Sequence, residues 1–171
     1  MRLLFSAHDA GGGDALVPLI RTFSSDISSA ILCVLGGKSK EIFIRESIHF
    51  VDGERLEDEK LTAEIKAFSP DAVITGTSFG LSIDKKVLRL ALMQKIPAIS
   101  VVDYWSNYKV RFQNPESGKM LLPDKICVVD ELMKKEMLEE IFPEDKILIT
   151  GNPRFDSFGN APLPERVIPG Q

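Results

Sequence analysis

Little in this sequence could hold a metal, build a disulfide framework or cross a membrane. Only two cysteines and two histidines occur among its 171 residues. Cys33 and Cys127 sit in the apolar runs Ile31-Leu32-Cys33-Val34-Leu35 and Ile126-Cys127-Val128-Val129, where they read as buried strand thiols; a pair of cysteines supplies neither zinc spacing nor a disulfide scaffold. A reducing, cytoplasmic setting is the expectation. His8 and His49 among scattered carboxylates make no metal signature. No apolar run approaches the roughly 18 residues of a membrane span. The opening Met1–Ser6 is broken by His8 and Asp9 well short of a signal-peptide core. A basic surplus is missing as well. The formal charge of −4 argues on average against a nucleic-acid binder, although a local basic patch could coexist with it.

Two nucleotide fingerprints are incomplete. Gly37-Lys38-Ser39 lacks the earlier glycine of a P-loop, since position 32 is Leu32, and it follows the second strand rather than the first. Ala10-Gly11-Gly12-Gly13-Asp14 is not the dinucleotide pattern, and Lys38 rather than an acid follows the second strand. No cofactor is called for.

The chain does hold the material of one α/β domain, with 44% hydrophobic and 27% charged residues. Short apolar runs alternate with segments of helical period, the pattern of βαβ units and a mostly parallel, Rossmann-like sheet of about six or seven strands flanked by helices. Strands are expected over 2–6, 30–35, 48–51, 71–75, 98–102, 125–129 and 146–149. Helices are expected from about Asp14 to Ser24 with Pro18 in the first turn, weakly over 39–45, over 57–68, after the N-cap Ser82 to Lys95, and over 131–142. Asp103–Pro123 shows no clear period, and a stretch of that length is usually functional or mobile. From Asn160 the chain carries Pro162, Pro164 and Pro169 and reads as a linker or loose terminus.

In a parallel sheet the loops after the strands gather on one edge, where ligands bind. Three loops there are distinctive. His8-Asp9-Ala10-Gly11-Gly12-Gly13-Asp14 offers an imidazole as candidate base, a carboxylate to orient it or bind a hydroxyl, and glycines for a sharp turn and close substrate approach; a plain strand-to-helix turn capped by Asp14 is the alternative. Thr75-Gly76-Thr77-Ser78-Phe79-Gly80 could floor a pocket with hydroxyls, or Thr77 and Ser78 could simply cap the next helix. Asp103-Tyr104-Trp105-Ser106-Asn107-Tyr108-Lys109-Val110-Arg111 concentrates the only Trp and both Tyr, with amide and basic partners that suit sugar or partner recognition. Trp105 and Tyr108 could instead pack down and pin the loop.

His8-Asp9-Ala10-Gly11-Gly12, Gly76-Thr77-Ser78, Val102-Asp103-Tyr104-Trp105-Ser106-Asn107-Tyr108 with Arg111-Phe112, and Thr150-Gly151-Asn152-Pro153-Arg154-Phe155-Asp156 together resemble the amino-terminal half of GT-B-type glycosyltransferase-like proteins. The resemblance is to the surface-polysaccharide biosynthesis group and, more distantly, to UDP-N-acetylglucosamine 2-epimerases and glycerophosphotransferases. It covers residues 1–157 as one Rossmann-like domain and leaves 158–171 as a tail or truncated interdomain linker. It implies an acceptor-side domain facing a second domain that holds most nucleotide-sugar contacts. His8 or Asp9 would be the candidate catalytic base. Gly11, Gly12, Gly13, Gly76, Thr77, Ser78, Asp103, Tyr104, Trp105, Asn107, Tyr108 and Arg111 would line the acceptor side, and Asn152 would mark the approach to the second domain. The partners implied are a sugar or polysaccharide-precursor acceptor, a nucleotide sugar through a second domain or partner chain, and a homo-oligomer as an option. Because the sequence stops about fifteen residues beyond the last of these elements, the expectation is an incomplete catalyst on its own. A non-catalytic binding or regulatory module, and a small hydrolase assembling His8, Asp9, Ser78 and Asp103, are the competing readings.

Overall fold

Every apolar run expected to be a strand enters one sheet. The computed structural model describes residues 1–160, and side chains through Asp156; most of the tail reading therefore lies outside the described residues. The strands are β1 (Arg2–Ala7), β2 (Ala30–Leu35), β3 (Val51–Asp52), β4 (Ala72–Thr75), β5 (Ala98–Val101), β6 (Lys125–Val128) and β7 (Ile147–Ile149), in the order β3-β2-β1-β4-β5-β6-β7. Each neighbouring pair is parallel. Strand order therefore reverses between β1 and β4, and this is the switch point of the sheet.

Alternation along β1 divides the core. Leu3, Phe5 and Ala7 face α1 (Ala10–Ser24) and α2 (Ser39–Arg45), joining Leu16, Ile20 and Phe43 in one cluster. Leu4 faces the other way, into a cluster with Leu61 and Ile65 of α3 (Asp58–Phe68) and Val87, Leu88 and Ala91 of α4 (Ile83–Gln94). A third cluster packs Tyr108 and Phe112 of α5 (Tyr108–Phe112) against Met133 and Met137 of α6 (Glu131–Glu139). The expected strand at 48–51 is only the two-residue β3, and the unpatterned 103–123 stretch contains α5.

The largest departure from the sequence reading is at α1. It starts at Ala10, not Asp14, with Asp9 at the N-cap, so the three glycines form a helical first turn rather than a loop. Their role is close packing. A Cβ on Gly12 would lie 3.3 Å from the Gly76 Cα, and one on Gly13 3.0 Å from the Ser39 Cβ. The early start also moves Pro18 into the helix interior, where it cannot bond the carbonyl one turn back.

Candidate functional site

The parallel arrangement brings the loops after β1, β4, β5 and β7 to one edge, and named contacts tie them together. Asp9 N–H donates to the Ser78 Oγ at 3.2 Å, joining the first loop to the second. Arg111 joins the second to the third: its Nη1 donates to the Thr77 carbonyl (3.0 Å) and Oγ1 (3.1 Å) and to the Asp103 carboxylate (3.1 Å), and its Nε donates to the Ser106 carbonyl. The Asp103 carboxylate lies against the first turn of α1, so a Cβ on Gly11 would stand 1.9 Å from its Oδ2. Asn152, after β7, reaches the Asp103 carbonyl at 3.5 Å.

The floor of this edge is charged and sealed. Asp84, in the first turn of α4, is 1% exposed; it accepts from Ser78 Oγ at 2.6 Å, from Ser82 Oγ and from the Lys85 N–H. Burial raises its carboxyl pKa, with these bonds opposing the shift. Burial likewise raises that of Asp103, against the pull of Arg111. Lys85 is nearly as enclosed and donates from Nζ to the Gly80 and Val110 carbonyls; burial lowers its pKa. The Arg111 guanidinium also stacks over the Phe79 ring, 5.1 Å from its centroid.

His8 and Asp9 diverge as they leave β1. Asp9 belongs to the charge field of Asp103 and Lys85. The His8 ring lies over Gly36 and Gly37 instead, with Nδ1 3.8 Å from the Glu54 Oε1. Of the two roles expected of Asp9, the orienting one is not seen: Asp9 stands at the N-cap of α1 while the imidazole faces Glu54. The four-residue hydrolase constellation is not assembled either. Ser78 gives its proton to Asp84, Asp103 is held by Arg111 and His8 faces Glu54.

The aromatic loop is less open than its composition suggests. Tyr108 is 2% exposed, and its hydroxyl donates to Glu136. Trp105 packs against the third core cluster and donates its indole N–H to the Asp130 carboxylate. These two pin the loop. Tyr104, 60% exposed, remains outward. Asn107 adopts a left-handed backbone (φ 57°) before α5 and donates its amide to Ser106 Oγ.

Glu54, Asp84 and Lys85 escaped the sequence reading. Asp52-Gly53-Glu54 could have been noticed as acids ending a third strand. Ser82-Ile83-Asp84 looks like ordinary helix capping, and only the bond from Ser78 reveals a carboxylate facing inward. Among the described residues, no group of three or more His, Cys, Asp or Glu could hold a metal, and no helix is long and apolar enough to cross a membrane.

No protein-family model matches the sequence, and no curated protein matches it. Solved structures do. A UDP-GlcNAc 2-epimerase from Neisseria meningitidis, bound to UDP-GlcNAc, superposes with a TM-score of 0.70 at 18% identity over 93% of this chain and 48% of its own. The UDP-GlcNAc 2-epimerase of Methanocaldococcus jannaschii gives 0.68 at 17% identity, over 92% and 47%. MurG of Acinetobacter baumannii gives 0.58 at 11%, over 87% and 44%. The chain spans about half the length of these proteins, and its seven-stranded parallel sheet has the Rossmann-like fold of one half of a GT-B protein.

Proposed function

We propose that the carboxyl edge of this sheet binds a sugar or sugar nucleotide, as the acceptor-side wall of a cleft that a second Rossmann-like domain completes, in the biosynthesis of a surface polysaccharide. One observation carries the reading. The loops after β1 and β7 meet at Asp103, which follows β5, and Arg111 ties in the loop after β4 beside the switch point, in a fold shared with half of proteins whose structures hold UDP-GlcNAc. Sugar sites need carboxylates and amides fixed in place to read hydroxyls; Asp103 and Asn152 are held so, and Asp9 adds a carboxylate beside them. Arg111 fixes the Asp103 carboxylate, and Tyr104 offers a ring face. His8 is the candidate base on the opposite flank of β1.

Saturation-transfer NMR with UDP-GlcNAc, UDP and N-acetylglucosamine tests the proposal. Transfer to the sugar protons, abolished by Asp103→Asn, is expected. Absence of transfer to all three ligands would remove the sugar reading.

A second reading, a binding module without chemistry, is favoured by the mutual pairing of Arg111 with Asp103 and of Ser78 with Asp84, which leaves few free catalytic groups. It predicts that His8→Ala leaves ligand or partner binding intact while Trp105→Ala removes it.

A further inference from the structure

The His8 Nδ1 is buried and has no hydrogen-bond partner, although a sealed polar nitrogen without one is costly and rare in folded proteins. Its surroundings are built around it. A Cβ on Gly36 would lie 2.7 Å from that nitrogen and 3.1 Å from the Glu54 Cγ, so the missing side chain is what leaves the space between imidazole and carboxylate open. Gly37, at φ 46°, lets the ring lie flat, since a Cβ there would stand 2.9 Å from Nε2. The Glu54 carboxylate is held in turn by the Lys40 ammonium at 2.6 Å, which is the main reason its pKa is lowered. Three successive loops, after β1, β2 and β3, therefore each contribute one part.

We propose that Glu54 is the positioning residue of His8: its carboxylate, 3.8 Å from Nδ1, draws the ring proton to that nitrogen and leaves Nε2 as the atom that exchanges a proton with a ligand. This rests on the reading of His8 as the base of the sugar site, and it gives that base the carboxylate partner that Asp9 does not supply. The imidazole of such a pair takes a proton at Nε2 while Nδ1–H donates to the carboxylate, which stabilises the imidazolium. The step conserves charge: the ligand hydroxyl loses a proton and the ring gains it. Two other charged groups belong to this neighbourhood: Asp84 of α4, whose carboxyl interacts with His8 from the buried side, and Lys40 of α2, which fixes the Glu54 carboxylate from behind.

The test is nitrogen-15 NMR of the imidazole in the intact chain, with no ligand present. In the native protein the neutral ring is expected to carry its proton on Nδ1. Glu54→Gln should move the ring toward the Nε2–H tautomer, because the charge that draws the proton to Nδ1 is gone. Glu54→Asp, a shorter carboxylate, should restore the Nδ1–H tautomer in part. A Glu54→Gln protein with native amide shifts and an unaltered His8 tautomer would overturn the proposal. Should Glu54→Gln disturb the fold, Lys40→Met supplies the second arm: freeing the carboxylate should increase the share of the neutral ring protonated at Nδ1, and an unchanged tautomer ratio would also overturn it. Sugar binding plays no part in these measurements, so failure of the sugar reading and failure of the pair are separable.

Discussion

A methyl group added at Gly11 would stand 1.9 Å from the Asp103 Oδ2, too close for either to remain in place. Gly11→Ala should cost about 1–3 kcal/mol of stability through that forced shift, measurable by urea unfolding. Arg111 is the next pressure point, since its guanidinium is the ion-pair partner of a carboxylate whose side chain is only 15% exposed. Arg111→Met strands Asp103 and the Thr77 carbonyl, and a loss of about 3–5 kcal/mol is expected. The buried acid Asp84 has a definite pH signature. Its folded pKa is raised above the ordinary 3.8, so the stability it contributes is fully present below that value and declines as pH rises through the raised one. Asp84→Asn removes this dependence. The stability of the native protein relative to the variant should fall as pH rises across that window, and a difference that instead grew with pH would show the site to be stabilised in its charged form.

At the scale of elements, Asp130 serves two structures at once. It caps α6 by accepting the Met133 N–H at 2.8 Å and receives the Trp105 indole N–H. Asp130→Ala should therefore cost about 2 kcal/mol, more than a cap alone, and release Trp105, which its fluorescence would report as increased solvent exposure. Strands and long helices were legible in the sequence because their apolar periodicity is strong, as in Leu16, Leu19, Ile20 and Phe23. The start of α1 was not, because three glycines signal a turn when only a neighbour in space, Gly76 or Asp103, reveals that they are there for contact. Tyr108 was obscured in the same way. An amphipathic ring in a loop suits a binding surface or an anchor equally well, and α6, distant in sequence, decides for the anchor.

For the whole molecule, the edge chosen by topology is also the edge where the titratable residues of the loops meet, divided by β1 into two flanks. Asp9, Asp103 and Arg111 lie on one; His8, Lys40 and Glu54 lie on the other; buried Asp84 interacts with both sides, through Ser78 and His8. The rim as a place was readable from strand alternation alone, whereas the pairing of His8 with Glu54 required the third strand to be set beside the second. Whether ligand binds at this edge is read by mapping amide shifts during titration with UDP-GlcNAc. Shifts are expected to concentrate in residues 8–13, 76–78 and 103–107, with none in the opposite-edge turns at 25–29 and 69–71. Perturbations confined to those turns, or none at saturating ligand, would show that the edge is not the binding surface.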